Sequence, residues 1–184
     1  MKETAIAALL LLVACGTAYA DENDAAQWRI GGSLSYSDYG RNDIQLADAN
    51  TGFKFHAQYR FNSWIGAEGA FYVSPDFKDD IDPSMAGGET ETSYQGFTLH
   101  GIAYLPSPAE TVDIFVKGGY YNFFDVNLKV DGVTADTSSD DGLAFGFGTS
   151  FEAAEHLGLR VEYDWYDLSN ADLWTIGVGA EYRF

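Results

Sequence analysis

The chain has 184 residues, of which 46% are hydrophobic and 16% aromatic, and its formal net charge is −18 at pH 7. This length is sufficient for one domain with a substantial core. The negative charge would repel phosphate groups, so it excludes a general nucleic-acid-binding protein and disfavours attachment to an anionic lipid surface.

The N-terminal residues have the features of a secretory signal peptide. Lys2 supplies a positive charge, residues 4–14 form an apolar run, and residues 18–20 (AYA) make a small-x-small cleavage site. We therefore expect residues 1–20 to be removed and residues 21–184 to form the mature domain.

No helical membrane anchor is predicted. The apolar run of the leader is too short to cross a bilayer, and no later stretch holds the roughly 20 apolar residues that a spanning helix needs. An alternative concerns Cys15, the only cysteine, because residues 12–15 (LVAC) resemble a bacterial lipobox in which the cysteine is lipidated. Cleavage after Ala20 would instead leave a mature chain without disulfide bonds.

Downstream of the leader, polar and apolar residues alternate in eight segments, most strictly in GFKFHAQYRF at residues 52–61. A period of two predicts β-strands with one polar and one apolar face. Each segment is close to the roughly 9–11 residues that a tilted strand needs to cross a bilayer. The predicted strands are 27–36, 52–61, 64–73, 94–105, 112–124, 142–152, 157–168 and 173–184.

The connections between these strands alternate in length. Those after the second, fourth and sixth strands are short, whereas residues 37–51, 74–93 and 125–141 form long loops. Bacterial outer-membrane barrels show this alternation, with the long loops outside the cell. The pattern therefore predicts an eight-stranded antiparallel transmembrane up-and-down β-barrel.

The alternation alone does not say which face lies inside. A soluble β-sandwich or lipocalin-like barrel would bury the apolar face, whereas a membrane barrel turns it towards lipid. A closed lumen tolerates charges only when they are paired. The polar faces carry equal numbers of basic and acidic residues, although the rest of the mature chain is strongly acidic. The six basic and six acidic residues predicted to form a lumen charge network are Arg29, Lys54, Arg60, Lys117, Arg160 and Arg183 with Glu68, Asp113, Glu152, Glu162, Asp164 and Glu181.

Two histidines share the polar faces with this network. His56, Glu68 and His100 lie at similar heights on neighbouring predicted strands. We hypothesise a mid-lumen cluster whose protonation reorganises the network near pH 6–7, the ordinary range of histidine. The alternative is that both imidazoles simply fill the lumen and form hydrogen bonds.

Two predicted strands depart from strict alternation. Ile102 falls on the polar face of the fourth strand, and Phe115 and Phe123 share the polar face of the fifth. Small inward residues on the other strands leave room for long charged side chains, and eight strands enclose an interior about wide enough to be filled by side chains. We therefore expect a plugged lumen without an open pore.

Aromatic residues crowd the ends of the predicted strands. Amphipathic rings favour the two membrane–water interfaces, where they form girdles around a barrel. The predicted girdle residues are Trp28, Tyr36, Tyr59, Phe61, Trp64, Phe71, Trp165, Trp174, Tyr182 and Phe184.

The mature chain carries a family resemblance, which is strongest over residues 94–184. The closing LGLRVEYDWYDLSNADLWTIGVGAEYRF, with the preceding GGYYNFFDVNLKVDGVTADTSSDDGLAFGFG, resembles the OmpA-like outer-membrane β-barrel domain family. Phe184 and Tyr182 match the C-terminal signature that such proteins present to the barrel-assembly machinery. The resemblance implies an integral outer-membrane protein of a Gram-negative bacterium. Larger relatives carry a periplasmic peptidoglycan-binding domain after the barrel, which we do not expect here.

The resemblance implies a structural role in envelope integrity. We expect contacts with outer-membrane lipids and lipopolysaccharide, and with extracellular ligands through loops 37–51, 74–93 and 125–141. The alternatives are a narrow channel for small solutes and a lipid-modifying barrel enzyme. We expect no enzyme, because no serine adjoins a histidine on the predicted strands, and no cofactor or metal, because the acidic loops match no calcium-loop spacing.

Overall fold

The computed structural model describes residues 27–41, 44–45, 50–74, 77–80, 89–107, 109–130, 133–169 and 171–184. The predicted signal peptide and Cys15 lie outside the described residues. Ten strands are present in the described part: β1 (Gln27–Arg41), β2 (Ile44–Gln45), β3 (Asn50–Arg60), β4 (Ile65–Val73), β5 (Phe77–Asp80), β6 (Glu89–Leu105), β7 (Val112–Val130), β8 (Val133–Ala154), β9 (Leu157–Leu168) and β10 (Ala171–Arg183).

Eight of these strands close into an antiparallel barrel, which confirms the predicted fold class. Each barrel strand pairs with its neighbour in the order β1, β3, β4, β6, β7, β8, β9 and β10. The sheet closes where β10 pairs with β1, from Arg29 opposite Arg183 to Gly40 opposite Asp172. The short β2 and β5 pair with β1 and β6 respectively.

Side-chain burial follows the predicted alternation, with the polar face inside. On β10, Thr175 and Glu181 are buried, whereas Ile176 and Val178 are exposed. The same alternation runs along β4 and β9. A continuous belt of exposed apolar side chains is stable against hydrocarbon but not against water. The apolar face therefore meets lipid. Among the described residues, no helix is long and apolar enough to cross a bilayer.

Five of the ten predicted girdle residues are exposed and four are partly exposed, but Phe61 is buried. Trp28, Trp64 and Phe184 are exposed at one end of the barrel. Phe61 is only 7% exposed, because the chain turns here: its amide donates to the carbonyl of Ile65 at 3.0 Å. The prediction of a girdle position at Phe61 is therefore wrong.

The two ends of the barrel differ. Short connections join β3 to β4, β6 to β7 and β8 to β9 at one end, here called the turn end. At the other end, here called the loop end, β6, β7 and β8 reach 17, 19 and 22 residues, compared with 9 for β4. Because roughly 9–11 residues cross a bilayer, these strands extend well beyond it.

The extension forms what we call the protruding sheet, made of β5 and the loop-end parts of β6, β7 and β8. Much of 37–51, 74–93 and 125–141, predicted as loops, is therefore strand. The β6–β7 register shifts between Gln95 and Gly96, and the β7–β8 register shifts between Phe123 and Val126. Such bulges bend and twist a sheet, and here they mark the change from barrel to protruding sheet.

The lipid-facing belt yields a first prediction. Val178 is 60% exposed and pairs with two other outward aliphatic residues, Leu34 and Val161. Replacing Val178 with arginine would place a charge in hydrocarbon and is expected to lower the free energy of unfolding by about 2–4 kcal/mol. Urea unfolding in lipid vesicles measures this loss. Val178→Leu is the control, and equal stability of the arginine variant and the parent would contradict the lipid-facing assignment.

Candidate functional site in the barrel lumen

The charged side chains of the lumen divide into two groups by their closest contacts. Each group contains three cations and three anions, so each is neutral. The central group consists of Lys54, Lys117 and Arg160 with Glu68, Glu162 and Asp164. The turn-end group consists of Arg29, Arg60 and Arg183 with Asp113, Glu152 and Glu181.

Glu162 is the shared acceptor of the central group. Lys54 Nζ donates to its Oε1 at 2.8 Å, while Lys117 Nζ and Arg160 Nη2 donate to its Oε2 at 2.7 and 2.9 Å. Arg160 Nη2 also donates to Glu68 Oε2 at 2.5 Å. All five side chains are buried. Hydrogen bonds to ionised partners offset the loss of hydration that buried charges suffer.

The turn-end group links side chains of β1, β3, β7, β8 and β10 inside the barrel. Asp113 accepts from Arg29 Nη1 and Arg60 Nη1, each at 2.8 Å. Glu181 Oε1 accepts from Arg29 Nη1 at 3.3 Å and from Arg183 Nε at 3.2 Å. The predicted lumen residue Glu152 lies at the rim: its side chain is 41% exposed, 3.5 Å from Arg183.

Glycines on the inner face provide the space for these long side chains. A Cβ atom added at Gly146 would lie 2.7 Å from Lys117 Cε, and one added at Gly158 would lie 2.8 Å from Glu181 Cγ. Both distances are shorter than ordinary carbon–carbon contacts, which are about 3.5–4.0 Å. The backbone itself therefore forms part of the wall against which the ion pairs pack.

The two inward histidines occupy different groups. His100 Nδ1 lies 3.8 Å from Glu68 Oε1, whereas His56 Nε2 lies 3.8 Å from Glu181 Oε2. The sequence analysis placed both beside Glu68. Among the described residues, no three His, Cys, Asp or Glu side chains are arranged to hold a metal ion.

An aromatic section at the loop end of the lumen was missed by the sequence analysis, apart from the inward position of Phe123. Tyr166 is fully buried, with its ring centroid 6.0 Å from Tyr72, 5.7 Å from Tyr121 and 5.5 Å from Phe123. The signal was present, because Tyr166 continues the inward alternation of Glu162 and Asp164. The buried cluster comprises Tyr72, Tyr94, Tyr121, Phe123, Ala144, Tyr166, Leu168 and Leu173.

Phe115 and Ile102 are also buried inside the barrel, as predicted from their position on the polar faces. The Phe115 ring lies under the Arg160 guanidinium, 4.5 Å from its centroid, and the Tyr104 ring lies 4.0 Å from the guanidinium carbon of Arg60. Cation–π attraction therefore allows rings and charges to share the lumen.

The edge of the protruding sheet is the second candidate site. β8 pairs with β7 as far as Val133, but its pairing with β9 begins only at Ala144. On the β9 side, residues 133–143 of β8 therefore have no strand partner among the described residues. An unpaired edge presents backbone donors and acceptors to a further strand.

The central group yields a second prediction. Glu162→Gln would leave Lys54, Lys117 and Arg160 with one anion fewer, so the free energy of unfolding is expected to fall by about 3–5 kcal/mol. Urea unfolding in vesicles measures the loss. The charge-balanced double variant Lys117→Met/Glu162→Gln is expected to lose less. A single variant as stable as the parent would contradict the dependence on charge balance.

Comparison with known proteins places these features in a family. The family model described as the outer membrane protein beta-barrel domain matches residues 6–184. Outer membrane protein X of Enterobacter cloacae is 29% identical over 179 residues, covering 96% of this chain and 94% of that protein.

Solved structures share the fold. Ail of Yersinia pestis, crystallised with the heparin analogue sucrose octasulfate, superposes with a TM-score of 0.64 at 19% identity, covering 86% of this chain and 99% of that chain. OprG of Pseudomonas aeruginosa has a TM-score of 0.64 at 17% identity, covering 88% and 97% respectively. The family model spans nearly the whole sequence, and this chain therefore belongs to the outer membrane protein beta-barrel domain family of the bacterial outer membrane.

Proposed function

We propose that this protein is a structural barrel that contributes to envelope integrity, has a closed lumen and contacts extracellular molecules through its protruding sheet. The observation that carries the proposal is the filling of the lumen. Two neutral ion groups occupy the turn end and the centre, and a packed aromatic section occupies the loop end. A solute would have to separate buried ion pairs and displace packed rings, both of which are costly.

The runner-up function is a narrow channel for small solutes. The closed-lumen proposal predicts no discrete conductance steps when the purified barrel is placed in planar bilayers at neutral pH. A general porin in the same bilayers is the positive control, and circular dichroism of the inserted sample checks that the barrel is folded. Reproducible unitary steps from the parent would favour the channel and overturn the closed lumen.

A lipid-modifying activity is less well supported. Catalysis on lipid would need a nucleophile and a base at the lipid-facing wall. His56 and His100 are buried in the lumen, and the third histidine, His156, lies in the turn between β8 and β9. These positions support a non-enzymatic role.

The proposal places the turn end in the periplasm, after export and removal of residues 1–20. Phe184 and Tyr182 would serve as the signal for the barrel-assembly machinery. In the folded barrel, the Phe184 amide donates to the Trp28 carbonyl at 3.0 Å, and Tyr182 and Phe184 pack edge to face. The signal residues thus become part of the closing seam between β10 and β1. Outer-membrane lipids and lipopolysaccharide would surround the exposed apolar belt.

The extracellular partner is expected to bind by strand addition. Only three basic residues of the mature chain, Arg41, Lys78 and Lys129, lie outside the lumen groups. Lys78 and Lys129 lie on the protruding sheet, but acidic residues outnumber them there, so the sheet does not offer the net positive charge that a polyanion such as the Ail ligand would require. The open β8 edge instead offers backbone hydrogen bonds, which recognise an extended peptide with little dependence on charge.

Ser139 provides a test of strand addition. It is exposed and has no partner in the β7–β8 register. Peptides selected from a random display library on the barrel in nanodiscs are expected to bind Ser139→Pro about tenfold more weakly, because proline removes a backbone donor from the edge. Ser139→Ala keeps that donor and is expected to bind like the parent. Equal binding to the proline variant would contradict strand addition.

A further inference from the structure

Each ion group of the lumen contains one histidine without a hydrogen bond. The side chains of His56 and His100 are fully buried. Neither ring nitrogen of either residue has a hydrogen-bond partner among the described residues. The 3.8 Å separations from Glu181 and Glu68 exceed hydrogen-bond distance but are within the range of strong Coulomb interaction.

The carboxylate beside each histidine is already surrounded by cations. Glu68 lies 3.5 Å from Lys54, 3.3 Å from Lys117 and 2.5 Å from Arg160. His100 therefore adds a fourth basic group to that carboxylate.

The turn-end group repeats this arrangement. Glu181 lies 3.3 Å from Arg29, 3.2 Å from Arg183 and 3.8 Å from Arg160, and it also accepts a hydrogen bond from Ser150 at 2.7 Å. His56 is the additional basic group here. In both groups, the charges are balanced only while the imidazole is neutral.

The surroundings of His100 provide no spare anion. Lys117 on β7, Glu68 on β4, Asp164 on β9 and Lys54 on β3 are the charged groups that interact with it. Two cations thus offset two anions, and both anions are already ion-paired.

His56 is in the same situation. It interacts with Glu181 on β10 and Glu68 on β4. Arg29 on β1 and Arg160 on β9 share the Glu181 carboxylate, and a Cβ at Gly31 of β1 would lie 2.6 Å from the imidazole. A proton on His56 would give the turn-end group a net positive charge, and the ring has little space to move away.

We propose that His56 and His100 form an acid-sensitive switch in the lumen. Protonation adds one positive charge to each neutral group, so Glu68 and Glu181 must exchange cation partners and the packing of the ion pairs loosens. This inference rests on the closed lumen of the proposed function. The unfolded chain takes up the same protons in water without adding charge to a buried ion group, so the folded barrel loses stability under acidic conditions.

The test compares urea unfolding in lipid vesicles at about pH 8 and about pH 5. The parent is expected to show a lower unfolding midpoint at the acidic pH. The double variant His56→Gln/His100→Gln is expected to lose most of this difference, because glutamine stays neutral. His156→Gln, which changes the histidine outside the lumen, should keep the response of the parent. An equal acid response in the parent and the double variant would overturn the switch.

A second measurement separates this inference from the proposed function. Planar-bilayer recordings are made at both pH values on the parent and the double variant. Silence at pH 8 with steps at pH 5 only in the parent would support the switch. Conductance of the parent at pH 8 would overturn the closed lumen itself. If substitution of both residues impairs folding, imidazole nitrogen chemical shifts of the labelled parent give the readout. Protonation of both rings without any shift in neighbouring backbone amides would contradict the switch.

Discussion

The barrel depends on charge balance in a space that water cannot adequately fill. A closed sheet satisfies every strand edge, which is the condition for crossing hydrocarbon, but closure also removes the inner face from bulk solvent. The lumen therefore holds three cations and three anions in each of two groups, although the whole chain carries a net charge of −18. The acidic excess of the sequence lies outside these groups. The separation of neutral interior and acidic exterior is the main physical feature of the molecule.

Most of the fold could be predicted from the sequence, because a period of two specifies both the strand and its two faces. The predicted bounds 157–168 are the observed bounds of β9. The individual ion pairs could not be predicted. Arg160 on β9 binds Glu68 on β4, across the lumen and 92 positions earlier in the chain. Such a pairing depends on strand order, register and barrel diameter together, none of which leaves a local signal.

Two features lay beyond the rule that polar side chains point inward. Aromatic rings, like paired charges, can fill the lumen without leaving a charge unpaired. Tyr72 and Tyr166 therefore lie on the inward faces of the strands that carry Glu68 and Glu162. The alternation also continues past the membrane, so the strand ends near Val130 and Val133 were predicted as loop. Nothing in a period of two marks where hydrocarbon ends. Phe61 departs from the alternation in another way. The pattern predicts that it faces outward, but a turn begins at this residue and its side chain is buried.

The orientation of the two faces is the central claim, and β10 tests it most directly. Single cysteines placed in turn along residues 173–182 of the mature chain can carry a fluorophore and be exposed to quenchers in the lipid acyl chains. We expect quenching to alternate with a period of two, strong at positions 174, 176, 178, 180 and 182 and weak between them. Uniform quenching, or strong quenching at 175, 177 and 179 instead, would contradict a barrel with its apolar face towards lipid.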